Sequence, residues 1–341
     1  MQPAHVERNS INRRIDFRNF LVPKPLLRCR YHRLLALLPL RRRLMQHNLS
    51  ALALVGLLVA GCFDSKDTGA DSGSAGTGGS GTPDRTIDLG ACPGAGLDGS
   101  ASLPLVTAQL GVGVFTMGND DDPEAAPAHQ VSLSTDVWMT ITEVTQGQWM
   151  EAGFANPSQQ SACLDCPVEQ VTWHEAAAFA EAMSAADGLD GCYDCTGSGA
   201  DTTCTAPADP YACAGWRLPT EAEWEAAASA DGTRWAGSDD LATVAWTVEA
   251  VGQPCPVGAL QPTAAGMYDL SGNVSEWVHD GYAAYVAGEV ADPVGADSDT
   301  RVVRGGSVFQ VAGEAETTAR EAGVAGDFVP WRGVRLVKRS E

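Results

Sequence analysis

The stretch Gly215 to Glu225, GWRLPTEAEWE, restricts what this chain can fold into more than any other. Its second half specifies the start of a helix. Thr220 can accept from exposed backbone N–H groups as the N-cap, and Glu223, three residues on, can reach back to the cap's own N–H. Pro219 holds the entry extended, and Trp224 supplies the first large apolar anchor. The same device occurs twice more. Thr145 with Gln148 opens TQGQWMEAGF, which stops near Gly153, and Thr172 with Glu175 opens TWHEAAAFAEAMSAADG. In the latter Ala176, Phe179, Ala180 and Met183 form a stripe at helical spacing, and Gly188 offers a left-handed stop. The third helix is expected to run to Gly232. Each cap contributes on the order of 1 kcal/mol to placing its helix. Taken alone, they describe well-capped amphipathic helices and no chemistry.

Between the helices the chain reads as short strands and loops. Residues 112–118 (VGVFTMG) alternate like a strand, and so does the run 129–140 (HQVSLSTDVWMT) that begins at His129. Beyond Gly232 the sequence is rich in Gly and Pro and carries Trp235 and Trp246. All nine tryptophans lie between Trp138 and Trp331. In so loop-rich a body they read as core plugs rather than a sugar-stacking surface, because aromatic rings bury the most area each.

Charge separates the two ends of the chain. Residues 1–44 hold eleven Lys/Arg and two Asp/Glu, and the remainder holds 11 basic against 41 acidic groups, a formal charge of −30. Such a field repels nucleic acid and favours cations, Ca²⁺ included; it also describes an ordinary solvated acidic surface. Leu49 to Gly61 is a thirteen-residue apolar run, too short to span a bilayer and the right length for a signal peptide. It ends in Val59-Ala60-Gly61-Cys62, which resembles a bacterial lipobox, so Cys62 is expected to become the lipidated first residue of the mature protein. Residues 1–61 are therefore read as leader and lipoprotein signal, with Met45 an alternative start. Residues 62–84 form a Gly/Ser/Asp-rich tether, 85–109 an N-terminal extension, and 110–338 the folded domain. The expected location is membrane-anchored, on the periplasmic or cell-surface side.

Eight cysteines follow Cys62: Cys92, Cys163, Cys166, Cys192, Cys195, Cys204, Cys213 and Cys255. An even set in an exported chain points to disulfides. Zinc is the rival, since Cys163-x2-Cys166 and Cys192-x2-Cys195 have ribbon-like ligand spacing. A nested pairing, Cys192 with Cys213 and Cys195 with Cys204, would fix a loop that has no core of its own.

The order FTMG, PAHQVSLS, ITEVTQGQW, CPVEQVTWHEAAAF, GWRLPTEAEWE, GMYDLSGNVSEW, RVVRGGS and GVRLV resembles the formylglycine-generating enzyme, or sulfatase-modifying factor, domain. The resemblance covers about 110–338. It implies an irregular α+β single domain related to C-type lectins, with few short strands and about three capped helices. It also implies a structural Ca²⁺ held by the side chains of Asp269 and Glu276 and the carbonyls of Gly272 and Val274, hard oxygen ligands in a tight turn. The alternative is a turn whose carboxylates only satisfy backbone N–H groups.

The catalytic pattern departs from the family. In the oxidase a cysteine follows RGGS by three residues, a second follows five later, and the pair binds copper(I). Here Arg304-Gly305-Gly306-Ser307 is intact, but the two positions are Gln310 and Ala315, and no cysteine occurs after Cys255. Amide and methyl groups are not copper(I) ligands, so copper is not expected. A related branch uses iron held by histidines; this body has His129, His174 and His279, with no pair at helical ligand spacing. The expectation is a lipid-anchored binding or scaffold module that has lost formylglycine-generating activity and docks a protein or peptide. The alternative is an enzyme with relocated metal chemistry.

Overall fold

The structure, a computed structural model, describes Cys92 and residues 96–340. The expected leader, the lipidation site Cys62 and the tether lie outside the described residues. The first four-stranded sheet has the order β1 (Thr107–Leu110), β4 (Val137–Thr140), β13 (Val337–Arg339), β7 (Trp216–Arg217). The second runs β11 (Arg320–Val324), β10 (Thr300–Arg304), β8 (Ser275–Gly281), β12 (Arg332–Val334), with β12 parallel to β8. A three-stranded sheet joins β2 (Gly113–Met117), β3 (His129–Leu133) and β9 (Val290–Ala291), and a ribbon pairs β5 (Asp194–Thr196) with β6 (Thr203–Thr205). The helices are α1 (Gln146–Glu151), α2 (Trp173–Asp187), α3 (Glu221–Ala228) and the short α4 (Leu241–Val244). This is an irregular α+β fold, as the sequence led us to expect.

All three capping boxes form. Thr145, Thr172 and Thr220 each accept from the N–H three residues on, and Gln148, Glu175 and Glu223 each reach back to the cap's N–H. Helix α2 stops at Gly188, whose φ of 69° places it in the left-handed region. Helix α3 ends at Ala228 rather than at Gly232. Ser229 Oγ donates to the Glu225 carbonyl at 2.7 Å, and Gly232 N–H closes a turn onto the Ser229 carbonyl at 2.9 Å. The Ser229 N–H bonds the same carbonyl at 2.8 Å, so backbone and hydroxyl converge on the last turn.

The run 129–140 is two strands in two different sheets. Between them, Asp136 accepts from Val112 N–H at 2.6 Å, and Ser134 bonds Asp292, so the chain turns away where alternation alone would carry it on. Strand β1 starts at Thr107, inside the stretch set apart above as an extension, because Thr107–Leu110 pairs with Val137–Thr140.

Strands β8 and β10 divide the interior. Side chains alternate across a sheet, and here neighbours enter different cores. Trp277 and Val303 join Trp149, Trp173 and Phe179, while Val278 and Val302 join Val137, Met139 and Trp224. Seven of the nine tryptophans are buried and the other two, Trp138 and Trp331, are half-buried, so they fill the interior as expected.

The cysteines form disulfides: Cys92–Cys255, Cys163–Cys166, Cys192–Cys213 and Cys195–Cys204. The last two are the nested pair, with Cys195 and Cys204 facing each other across the ribbon β5–β6.

Helix α3 is bound to the sheets by charge. Its three glutamates each hold an arginine from a different strand. Glu221 takes Arg320 of β11 through two bonds of 2.7 Å, Glu223 takes Arg217 of β7 through two bonds of 2.7 Å, and Glu225 takes Arg304 of β10. Both side chains of the Arg217–Glu223 pair are 1% exposed. Removing one partner of a buried pair strands the other charge, at a cost of about 3–5 kcal/mol. Glu223→Ala also removes half of a capping box, so it should lower the unfolding free energy in urea by about 4 kcal/mol. A loss below about 1 kcal/mol would show that the pair is not part of what holds the helix.

Candidate functional site

A cavity of about 450 Å³ opens where β10 runs into the Gly305-Gly306 turn, beside β11 and the loop carrying Asp122 and Glu124. The turn needs glycine twice. Gly305 and Gly306 have φ of 90° and 65°, and a Cβ on Gly306 would come within 2.6 Å of the Glu314 carbonyl oxygen. The cavity is lined by Arg304, Gln310, Glu314, Arg320, Glu321 and Trp331, among others.

Arg304 forms the floor. Besides Glu225, it donates to the carbonyls of Thr318 at 3.0 Å and Ala319 at 2.6 Å, and its guanidinium lies 4.9 Å from the Trp224 ring centroid. Arg320 forms one wall. It is bidentate to Glu221, donates to the Ala283 carbonyl at 2.8 Å and lies over the rings of Tyr285 and Tyr282, at 4.0 and 4.5 Å. Burial alone would lower the Arg320 pKa, yet it is held above its usual value, chiefly by the Glu221 carboxylate. Tyr282 donates to Glu124 at 2.6 Å. Behind this wall Asp280 accepts from the backbone of Glu221 and Gly295; burial, with Glu221 repulsion added, pushes its carboxyl up to about 7.

Gln310 occupies the opposite wall in a chain of hydrogen bonds. Ser307 Oγ donates to Gln310 Oε1 at 2.9 Å, Gln310 Nε2 donates to Glu321 Oε2 at 3.0 Å, and Arg332 donates to Glu321 Oε1 at 2.7 Å. Both ends of the amide are thus engaged. Ala315 is fully buried, and its carbonyl accepts from Ser271 Oγ at 2.8 Å. The residues that line the cavity include no thiol, thioether or imidazole. It can hold a ligand by hydrogen bonds and charge. On either side of Gln310 in the chain Phe309 and Val311 are exposed, and the Phe309 ring packs 5.3 Å from that of half-buried Trp331, which lines the cavity.

The histidines do not converge. His279 is buried, shares a 3.1 Å hydrogen bond with the Tyr193 hydroxyl, and is pushed down to about 3 by burial and by Arg217 and Arg301, so it stays neutral. His174 accepts from Cys204 N–H at 3.1 Å, and His129 Nδ1 contacts the Pro127 carbonyl at 2.9 Å. Among the described residues no three His, Cys, Asp or Glu side chains are grouped to hold a metal.

The segment 269–276 forms a second polar centre beneath the cleft. Asp269, Gly272 and Asn273 all have left-handed φ, at 56°, 82° and 58°. Asp269 accepts from Gly258 N–H at 2.7 Å. Glu276 is bidentate to Arg335 at 2.7 Å and also accepts from Trp224 Nε1. Glu143, missed in the sequence, completes the group: it accepts from Val274 N–H at 3.1 Å and from the Asn273 side chain at 3.0 Å. Three buried carboxylates thus face one guanidinium. Burial and mutual repulsion raise Glu143 well above the usual carboxylate range and push Asp269 up to about 6.

The lining residues Glu124, Arg320, Glu321 and Trp331 were likewise not singled out from sequence. Strand β11, REAGV, carries two of them and shows no apolar alternation that would mark it.

Residues 107–340 match the family described as the sulfatase-modifying factor enzyme 1-like domain. The chaperone protein LppX of Paenibacillus barcinonensis is 29% identical over 238 residues, which cover 61% of this chain and 81% of that protein. The formylglycine-generating enzyme of Streptomyces coelicolor is 34% identical over 114 residues, 28% of this chain and 36% of the enzyme, so the match spans about a third of that relative. Among solved structures, Treponema denticola variable protein 1 superposes with a TM-score of 0.63 at 27% identity, covering 70% of this chain and 96% of that one.

Proposed function

This chain belongs to the sulfatase-modifying factor enzyme 1-like domain family, and we propose that it serves as a lipid-anchored, extracytoplasmic binding module that has lost copper-dependent oxidase chemistry. The observation that carries this reading is Gln310, hydrogen-bonded to Ser307 and Glu321 at the position where the family's oxidase places a thiolate. A neutral amide and the buried Ala315 methyl do not fit copper(I), which requires soft donors. The cleft that remains suits an extended protein segment. Its carboxylates and guanidiniums match backbone amides, and exposed Phe309, packed against the lining residue Trp331, offers apolar contact. A relative named as a chaperone supports a protein-binding role. Given copper(I), oxygen and a sulfatase-type cysteine peptide, the protein should consume no oxygen; turnover with formylglycine in the product would refute the reading.

Anchoring rests on Cys62 and the apolar run before it. Cys62→Ala should move the protein from the membrane fraction to the soluble fraction and abolish metabolic labelling with palmitate. Unchanged labelling would rule out Cys62 as the acceptor.

By the resemblance calcium would be held at 269–276, where it would have to share Glu276 with Arg335, which bonds both of its oxygens. Asp269 and Glu276 would supply carboxylate oxygens, and the left-handed turn would supply the carbonyls of Gly272 and Val274. A cation there offsets the surplus of buried negative charge. The pH dependence has a defined sign. In the metal-free protein Asp269 titrates near 6, above its unfolded value of about 3.9. Its share of stability is therefore present at low pH and lost as pH rises through about 6. A chelator should accordingly lower the melting temperature more at pH 7.5 than at pH 5, and added Ca²⁺ should restore it. Equal melting curves with chelator and with Ca²⁺ at pH 7.5 would sink the site.

A further inference from the structure

Two of the disulfides lie against the same carbonyl group. Cys166 Sγ is 3.6 Å and Cys92 Sγ 3.7 Å from the Pro254 oxygen. The segment carrying Cys163 and Cys166 is pinned to the segment carrying Cys255 by a 2.9 Å bond from Val257 N–H to the Asp165 carbonyl. The Gln253 side chain reaches Cys92 Sγ at 4.0 Å and also bonds Gln160, on the approach to Cys163. We propose that these four cysteines form a thiol–disulfide relay, in which an external dithiol reduces Cys163–Cys166 and the electrons pass on to Cys92–Cys255.

The two disulfides differ in the ways a relay requires. Cys163 is half-buried and is followed by exposed Leu164 and Asp165, whereas Cys166 is 2% exposed and Cys255 fully buried. An incoming thiolate thus meets Cys163 first, and the sulfur it displaces is the one beside the second disulfide. Cys163–Cys166 closes a separation of three residues and Cys92–Cys255 one of 163. The exposed disulfide is thus the one an external dithiol can reach, and the inner is the one that ties Cys92 to the body of the domain.

Each step is an exchange at sulfur. The thiolate of the dithiol attacks Cys163 Sγ, the Cys163–Cys166 bond breaks and the Cys166 thiolate leaves. The second thiol of the reductant then displaces Cys163 from the mixed disulfide, departing as the oxidised disulfide. Cys166 attacks Cys92 Sγ and releases the Cys255 thiolate. Cys163 then attacks Cys166, restoring Cys163–Cys166 and releasing Cys92. In sum, two electrons and two protons move from the external dithiol to Cys92–Cys255.

Single serine variants test the inner step. Cys163→Ser leaves Cys166 as a thiol beside an intact disulfide, so peptide mapping without reduction should find Cys166 bonded to Cys92 or Cys255. In Cys166→Ser the remaining thiol, Cys163, should stay free with Cys92–Cys255 intact. A free Cys166 in Cys163→Ser protein whose circular dichroism matches the parent would overturn the relay. The parent protein tests the order of events. Under limiting dithiothreitol, timed alkylation should label Cys163 and Cys166 first. Reduction of Cys92–Cys255 should slow at least tenfold in the Cys163→Ser/Cys166→Ser double variant. Equal rates in the two proteins would contradict electron transfer through Cys166.

Discussion

The buried ion pairs of α3 are the constraint on which the rest of this structure depends. Eight residues of helix are too few to be stable alone, and this one is held by the strand just before it and by two strands reached across separations of 79 and 99 residues. Glu221 and Glu225 lie one turn apart on the same side of the helix, facing Arg320 and Arg304. Glu223 points back to its own N-cap and to Arg217. Between them Trp224 is fully buried and donates to Glu276, itself paired with Arg335. One short helix thus joins both four-stranded sheets, and the order of its residues fixes where β7, β10 and β11 must lie. Each pair is costly to desolvate, so its contribution is to geometric specificity as much as to stability.

That framework also separates the scaffold from the site. Arg304 directs its bonds inward or to backbone carbonyls, and Gly305 and Gly306 are fixed by their close approach to Trp224 and Glu314. The Gln310 side chain carries no such obligation. Gln310 bonds to Ser307 and to Glu321, whose side chain is 43% exposed. A side chain at that position can change without disturbing the helix or the sheets. Retention of RGGS beside a non-thiol at position 310 is what this division of roles allows.

Much of the fold was legible in the sequence where its cause was local. The three capping boxes, the stop at Gly188 and the nested disulfides of the 192–213 loop all depend on residues close in the chain. What depended on distant partners was not. The break of the run 129–140 comes from contacts to Val112 and Asp292. The cleft was harder still. Glu321 and Arg320 are ordinary surface residue types until β11 pairs with β10 and brings them beside Gln310. Glu143 shows no signal in sequence, since its partners are some 130 residues away. The resemblance located the departure at Gln310, but only the fold shows that its amide is tied down on both sides.

The central claim is that this cleft has kept the family's framework without its metal chemistry, and a competition titration with a copper(I) chelator of known affinity tests it most directly. The account predicts that the protein, with its disulfides intact, withdraws no copper(I) from the chelator at neutral pH. Withdrawal of one equivalent, lost when Gln310 and Glu321 are both replaced by alanine, would contradict it.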